Sequence, residues 1–409
     1  MSTFSGQSQS HFDPMTLDRV QLVDWMLSPL GRALAFEEFL AQLSERLCDG
    51  GVSLRRVHIG TRTMHPEVWV RIYDWWSDEG TTARMLPHTA ADTAVVTTSP
   101  VATLLQNDGA TVRVRLEVPD EEIPYSVCRE MRAKGCTDYV LLRLWSDGGP
   151  NNVASFCSGA EGGFRDAELA LLESLLPALA LRVDLEVARF ATRALLRTYL
   201  GRNASERVLA GAFRRGSGER LDAVIWLSDL RGFTERVDQS PLPLVLDALN
   251  SYFTCVADTI VAHGGEVLKF IGDAVLAVFP LAADPKGACR AALDAAERAF
   301  AQLEAANEER ATKGLDALRI GVVLHCGEVM YGNIGATDRL DFTVIGSAVN
   351  EASRVESLCK TLGAPLLFTE RFAALAEDEH AISLGRHPLR GVSKVPEIFT
   401  HRRPQPSGP

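Results

Sequence analysis

Apolar and polar positions along this chain follow two rhythms, and the switches between them divide it. Three- and four-residue spacing marks a helix over 33–47, "ALAFEEFLAQLSERL". "SLRRVHIGTRT", "EVWVRIYDWW", "TVRVRLEV" and "TDYVLLRLW" carry instead the β-branched and aromatic content of strands, with "SVCREMRAKG" as a short helix stopped by Gly135 before the last of them. From Asp166 to about Leu200 one long helical pattern runs, with Leu172, Leu175, Leu176, Leu179, Val183, Val187 and Phe190 recurring along one side. Such a stripe either pairs with a copy of itself or lies on its own domain with Pro177 bending it. "GRNASERVLAGAFRRGSGERL" is rich in glycine, serine and charge, and places a boundary near 202–220. The pattern therefore predicts a tail over 1–15, a mixed α/β module over 16–165, a helix and linker over 166–219, a second α/β domain over 220–402 and a tail over 403–409.

Composition narrows the class. The 409 residues are 46% hydrophobic and 23% charged, an ordinary globular mix long enough for two cores. A net charge of -11 argues against a nucleic-acid surface, which needs clustered Lys and Arg. The most apolar stretch, "LALLESLLPALAL", is broken by Glu173 and Pro177, so no membrane span is expected. The polar start "MSTFSGQSQSHFD" does not read as a signal peptide. The eight cysteines lack any CxxC or Cys/His ligand spacing, which fits reduced, buried thiols in a cytoplasmic protein.

Chemistry concentrates in the second half. "LDAVIWLSDLRGFTERV" runs as a strand to Asp229, makes a glycine-containing loop and enters a helix. A carboxylate beside exposed N–H groups suits a metal–phosphate pair, although an aspartate there also simply starts helices. "AHGGEVLKFIGDAVLAVF" reads as a hairpin with Asp273 at its turn and Lys269 within a strand. The ordinary readings are a solvated turn residue and an edge-strand lysine. "RLDFTVIGSAVNEASRVESL" gives a strand, a turn at Gly346 and a helix on which Asn350 and Arg354 share a face. An amide and a guanidinium there could serve one phosphate, or be a plain surface pair. Two carboxylates can also hold paired Mg²⁺ ions on a nucleotide.

Together these stretches make residues 222–400 resemble the catalytic domain of class III nucleotidyl cyclases: "SDLRGFT", "LKFIGDAVLAVF", "RIGVVLHCGEVMYGNIG" and "DFTVIGSAVNEASR" occur in that family's order. The resemblance implies a ferredoxin-like βαββαβ catalytic domain in an α/β (α+β) protein, converting ATP to 3′,5′-cyclic AMP and pyrophosphate. It implies Asp229 and Asp273 as ligands of two Mg²⁺ or Mn²⁺ ions per site. Lys269 would read adenine with Thr343, which stands where many members have aspartate and one bacterial subclass threonine. Asn350 would orient the ribose and Arg354 meet charge on the α-phosphate. The N–H groups of Arg231, Gly232 and Phe233 would cradle the terminal phosphates. Arg390 stands where a lysine is common, and keeps its charge with a different geometry. In this family the site lies between two subunits, so a homodimer would hold two sites, "RIGVVLHCGEVMYGNIG" reaching across as paired strands.

The order of elements over 16–165 looks like a sensor domain of the GAF or PAS type, receiving an unidentified small-molecule or protein signal that the long helix passes on. His58, His65 and His88 are candidate haem ligands if that half holds a cofactor; as scattered histidines they are more often structural. A catalytically silent nucleotide-binding or ligand-sensing module of the same fold is the alternative.

Overall fold

The structure, a computed structural model of the chain, describes residues 18–91, 98–106, 111–145, 152–392 and 394–401. The tails expected at 1–15 and 403–409 lie outside the described residues. The chain divides into two compact units, 1–195 and 196–409.

The first unit opens with helices α1 (Arg19–Leu27), α2 (Pro29–Ala33) and α3 (Phe36–Asp49). Strands β1 (Leu54–Arg62), β2 (Val68–Trp76) and β3 (Gly80–Pro87) follow, then α4 (Pro100–Gln106), β4 (Thr111–Arg115), α5 (Ser126–Ala133), β5 (Asp138–Leu144) and β6 (Asn152–Ser158). The strands form one antiparallel six-stranded sheet in the order β3-β2-β1-β6-β5-β4. Helix α6 (Asp166–Leu200) is continuous through Pro177. Of its stripe, Leu172, Leu175, Leu179 and Val183 are buried in this unit's own core with Phe36, Phe39 and Tyr73. The first half of the helix therefore lies on its own domain and is not free to pair with a copy.

The second unit begins earlier than its composition indicates. The glycine- and serine-rich stretch read as linker forms α7 (Arg202–Leu209), whose Ala204 is fully buried and whose start is held by Glu266: Oε1 accepts from Ala204 N at 3.2 Å and Oε2 from Asn203 Nδ2 at 3.1 Å. Then come β7 (Gly218–Leu230), α8 (Phe233–Gln239), α9 (Leu242–Ala262), β8 (Glu266–Ile271), β9 (Ala274–Pro280), α10 (Pro285–Thr312) and β10 (Ile320–Gly335). They are followed by β11 (Leu340–Ile345), α11 (Ser347–Leu362), β12 (Leu366–Thr369), α12 (Glu370–Ala376), β13 (Ala381–Arg386) and β14 (Glu397–His401). The order β10-β7-β9-β8 within the eight-stranded sheet is the βαββαβ ferredoxin-like arrangement, extended by β12, β14 and β13, while β11 pairs back on β10 as a hairpin.

Period-two alternation sorts this sheet's residues between two cores. Val224 and Trp226 of β7 face one side with α9 and α10, and Ala223 and Ile225 face the other with α11. Hence "AVIW" reads as an unbroken apolar run: β7 is central and covered on both faces. Among the described residues α9 alone is long and apolar enough to cross a membrane by length and composition, a correction to the expectation that no segment is. Asp247 and Asp258 interrupt it, and Val245, Ala248, Tyr252, Val256 and Ile260 pack one face into the core.

Candidate active site

The alternation that builds the sheet also aims the acids. Asp229 shares the α11 side of β7 with Ala223 and Ile225, and stands opposite Ala274 of β9 and Gly321 of β10. Ser228 points the other way and bonds Tyr252 Oη at 2.9 Å, receiving the Trp226 indole N–H at 3.0 Å. Asp273 occupies the β8–β9 turn directly before Ala274, so the two carboxylates lie on neighbouring chains at the same end of the sheet.

Both are uncomfortable as anions. Burial, then the neighbouring Glu356 carboxyl and its charge, pushes the Asp229 carboxyl up to about 6, against the pull of Arg231 and Lys360. Burial raises Asp273 as well, with Asp229 adding to it, while backbone hydrogen bonds at Asp273 itself and Leu230 act in the opposite direction. Asp229 Oδ1 is buried without a hydrogen-bond partner, rare for a native polar atom. A divalent cation would cancel this repulsion and fill that oxygen's empty valence, so these residues fit the ions the resemblance implies. Among the described residues no group of three or more His, Cys, Asp or Glu could hold a metal.

Arg231 does not play the part its sequence position implies. Its backbone N–H donates to Arg319 O at 2.7 Å and is thus unavailable to a phosphate, because the strand-like pairing of β7 with β10 continues one residue past Leu230. Its side chain turns back instead, with Nη1 3.3 Å from Asp229 Oδ2 and 2.9 Å from Glu356 Oε1. The guanidinium lies directly over Gly321, where a Cβ would sit 1.7 Å from Nη2. Gly232 is left-handed at φ 74° and caps α8, whose first-turn N–H groups, beginning at Phe233, have no intrahelical acceptor.

Lys269 does lie on the sheet's edge strand, β8, but is not idle there. Its Nζ is 3.3 Å from Asp341 Oδ2 of β11. Asp341 precedes Thr343 by two positions and so shares its face, and Thr343 Oγ1 is buried without a partner. An ammonium and a carboxylate therefore meet between β8 and β11, with the unpaired hydroxyl two residues along the same face of β11. Asp341 escaped the sequence reading because its partner is 72 residues away, although its two-residue spacing from Thr343 was visible.

On α11 the buried row is Ala348, Ala352, Val355 and Cys359. At 100° per residue Glu356 and Lys360 flank that row on one side, Arg354 flanks it on the other, and Asn350 lies opposite the core. Asn350 is exposed, and half-buried Arg354 has no hydrogen-bond or ion-pair partner among the described residues. A Cβ on Gly391 would lie 3.6 Å from the Arg354 guanidinium, which puts Arg354 beside the exposed turn that carries Arg390. One chain thus joins Asp229 to Asp273, Lys269 to β11, and Arg354 to the Arg390 turn, while Glu356, unmarked by the sequence, joins the acids.

In the first unit His58 is half-buried with Nδ1 2.9 Å from Asp74 Oδ1, His65 Nδ1 accepts from Glu67 N at 3.0 Å, and His88 Nε2 lies 3.0 Å from the carbonyl of His65. Each of the three is engaged in the protein's own hydrogen bonding. All eight cysteines are free; Cys289 and Cys326 are 3.6 Å apart, Sγ to Sγ.

Residues 218–381 match the family described as the adenylate and guanylate cyclase catalytic domain. An adenylate cyclase of Anabaena cylindrica is 36% identical over 159 residues, 38% of this chain and 31% of that protein. An uncharacterised protein of Mycobacterium tuberculosis is 35% identical over 212 residues, 50% of this chain and 38% of its own length. The chain spans about a third of the length of these curated relatives. Among solved structures, the adenylyl cyclase CyaB from P. aeruginosa aligns with a TM-score of 0.43 and 26% identity, over 46% of this chain and 97% of its own. The guanylyl cyclase Cya2 aligns at 0.40 and 28%, over 46% and 96%. Residues 218–381 are a class III nucleotidyl cyclase catalytic domain.

Proposed function

We propose that the chain is an adenylate cyclase that works as a homodimer. The ribose 3′-hydroxyl of ATP gives up its proton to solvent as its oxygen attacks the α-phosphorus, the bond from that phosphorus to the α,β-bridging oxygen breaks, and 3′,5′-cyclic AMP and pyrophosphate leave. The observation that carries the reading is the half-buried Asp229–Asp273 pair with one buried carboxylate oxygen left without a partner. Asp229 and Asp273 would hold Mg²⁺ or Mn²⁺ there, two ions per site, which would neutralise phosphate charge and lower the pKa of a hydroxyl.

The chain's own groups supply the rest. Arg354 has no partner among the described residues and so can meet charge gathering on the α-phosphate, with Asn350 one turn earlier to orient the ribose. The N–H groups of Gly232 and Phe233 are open to the terminal phosphates, and Arg390 stands in the exposed turn beside Arg354. Adenine offers one acceptor, N1, and one donor, the 6-amino group, on the edge to be read. Lys269 can donate to the first, and Thr343, with Asp341, accept from the second.

A second copy is part of the proposal. Asn350 and Arg354 project from α11 away from the flank that touches Asp229, which supports their serving the partner's site. Phe270 and Ile271, 49% and 52% exposed between Lys269 and Asp273, give apolar surface for that copy to cover. We assign the first unit the role of a GAF- or PAS-like sensor acting through α6. The eight free cysteines support a reducing compartment, the cytoplasm. Cyclic AMP and cyclic GMP measured from the purified full chain with Mn²⁺-ATP or Mn²⁺-GTP test this. Cyclic AMP that disappears in Asp273→Ala is expected. Cyclic GMP as the main product would overturn the substrate assignment, and neither product the enzyme assignment.

A further inference from the structure

The Arg231 guanidinium holds two carboxylates through one nitrogen, and the distances are unequal: 2.9 Å to Glu356 Oε1 and 3.3 Å to Asp229 Oδ2. Its Nη2 is buried without a partner above Gly321, so packing on β10 confines the group to the neighbourhood of the two acids. Were Glu356 absent, the acid that competes with Asp229 for Nη1 would be gone, and only the Cys359 thiol, a weak hydrogen-bond partner, would remain beside the guanidinium. The arginine would then form a full pair with the aspartate, satisfying the oxygens a cation needs and adding a positive charge to oppose it.

We propose that Glu356 is a positioning residue for the metal site: by holding Arg231 it keeps Asp229 available to a divalent cation, and it ties the β7–α8 loop to α11. This rests on the reading of Asp229 and Asp273 as metal ligands. Because Arg354 projects from the opposite flank of α11, the same helix braces the metal loop of its own chain while offering Arg354 away from it.

The test is Mn²⁺ binding, read as free Mn²⁺ by electron paramagnetic resonance, on the full chain without nucleotide. Asp229→Asn and Asp273→Asn establish the site. Loss of binding in both is the premise, and unchanged binding in both would sink the metal reading itself. Glu356→Gln keeps size and removes charge; it is expected to weaken Mn²⁺ about tenfold, about 1.4 kcal/mol. Glu356→Asp should recover part of that. The decisive arm is a double-mutant cycle: with Arg231 already replaced by Ala, Glu356→Gln should cost less than about threefold, since the residue acts through the arginine. Unchanged Mn²⁺ affinity in Glu356→Gln, or an equal loss with and without Arg231, would overturn the proposal while leaving the aspartates in place. Matching thermal melts of the variants separate a lost brace from a lost fold.

Discussion

Each unit of this chain sets an aspartate on a strand beside an arginine, Asp74 buried and Asp229 half-buried, and the two are treated in opposite ways. Asp74 on β2 meets Arg56, His58 at 2.9 Å and Arg84 at 3.7 Å, and this company holds its carboxyl far below the usual range despite burial. Asp229 on β7 has an arginine shared with a competing carboxylate, one oxygen with no partner, and a second acid beyond it, and its carboxyl is pushed up. A structural acid is enclosed by its counter-charges; Asp229 is left short of positive charge, and that shortage is what a cation would relieve. The comparison explains why burial of an acid alone does not mark a site.

The largest effects should separate the two acids by kind. Asp74→Ala leaves Arg56 buried without its counter-ion and is expected to cost about 3–5 kcal/mol, read as a drop in the denaturant midpoint of the first unit. Asp273→Ala is expected to leave the melt of the second unit unchanged or raised, while cyclase activity falls on the order of a hundredfold or more. Equal destabilisation by both would erase the distinction.

A smaller effect follows from His325, buried on β10 with Nδ1 2.9 Å from Thr369 Oγ1; burial, with the charge of Arg371, lowers it to about 4. Its folded-state value lies below the unfolded one near 6.5, so its contribution is complete above about pH 6.5 and drains away as pH falls towards 4. The slope should approach 1.4 kcal/mol per pH unit. Urea titrations of the second unit across that window measure it, and His325→Gln should flatten the slope. The smallest effect belongs to Thr343→Val, which removes an unpaired buried hydroxyl. Stability should rise or hold within about 1 kcal/mol, while the preference for ATP over GTP narrows.

How much of this could be read from residues alone depends on distance along the chain. The strand–turn–helix units were legible because their signals are local: the apolar run into Asp229, the glycine at 232, the hairpin around Gly272, the Asn350–Arg354 spacing. Strand β6, "NVASFCS", was not, because both its faces are buried and small residues replace alternation. The link from Arg231 to Glu356 spans 125 residues, and that from Lys269 to Asp341 spans 72, so no window holds either pair. The family resemblance implies a phosphate contact for the Arg231 N–H; only the sheet register gives that donor to Arg319. Helix α7 was hidden by composition, since its stability comes from Glu266 at its start and from burying Ala204.

The claim on which the rest depends is that each site is shared by two copies, with Asp229 and Asp273 from one and Arg354 from the other. Co-expressing the full chain carrying Asp273→Ala with the full chain carrying Arg354→Ala tests it directly, because a mixed dimer rebuilds one intact site of two. Each variant alone should be inactive, and the mixture should regain about a quarter of wild-type cyclic AMP production by random pairing. A mixture as inactive as its parts, in chains that still dimerise, would contradict the account.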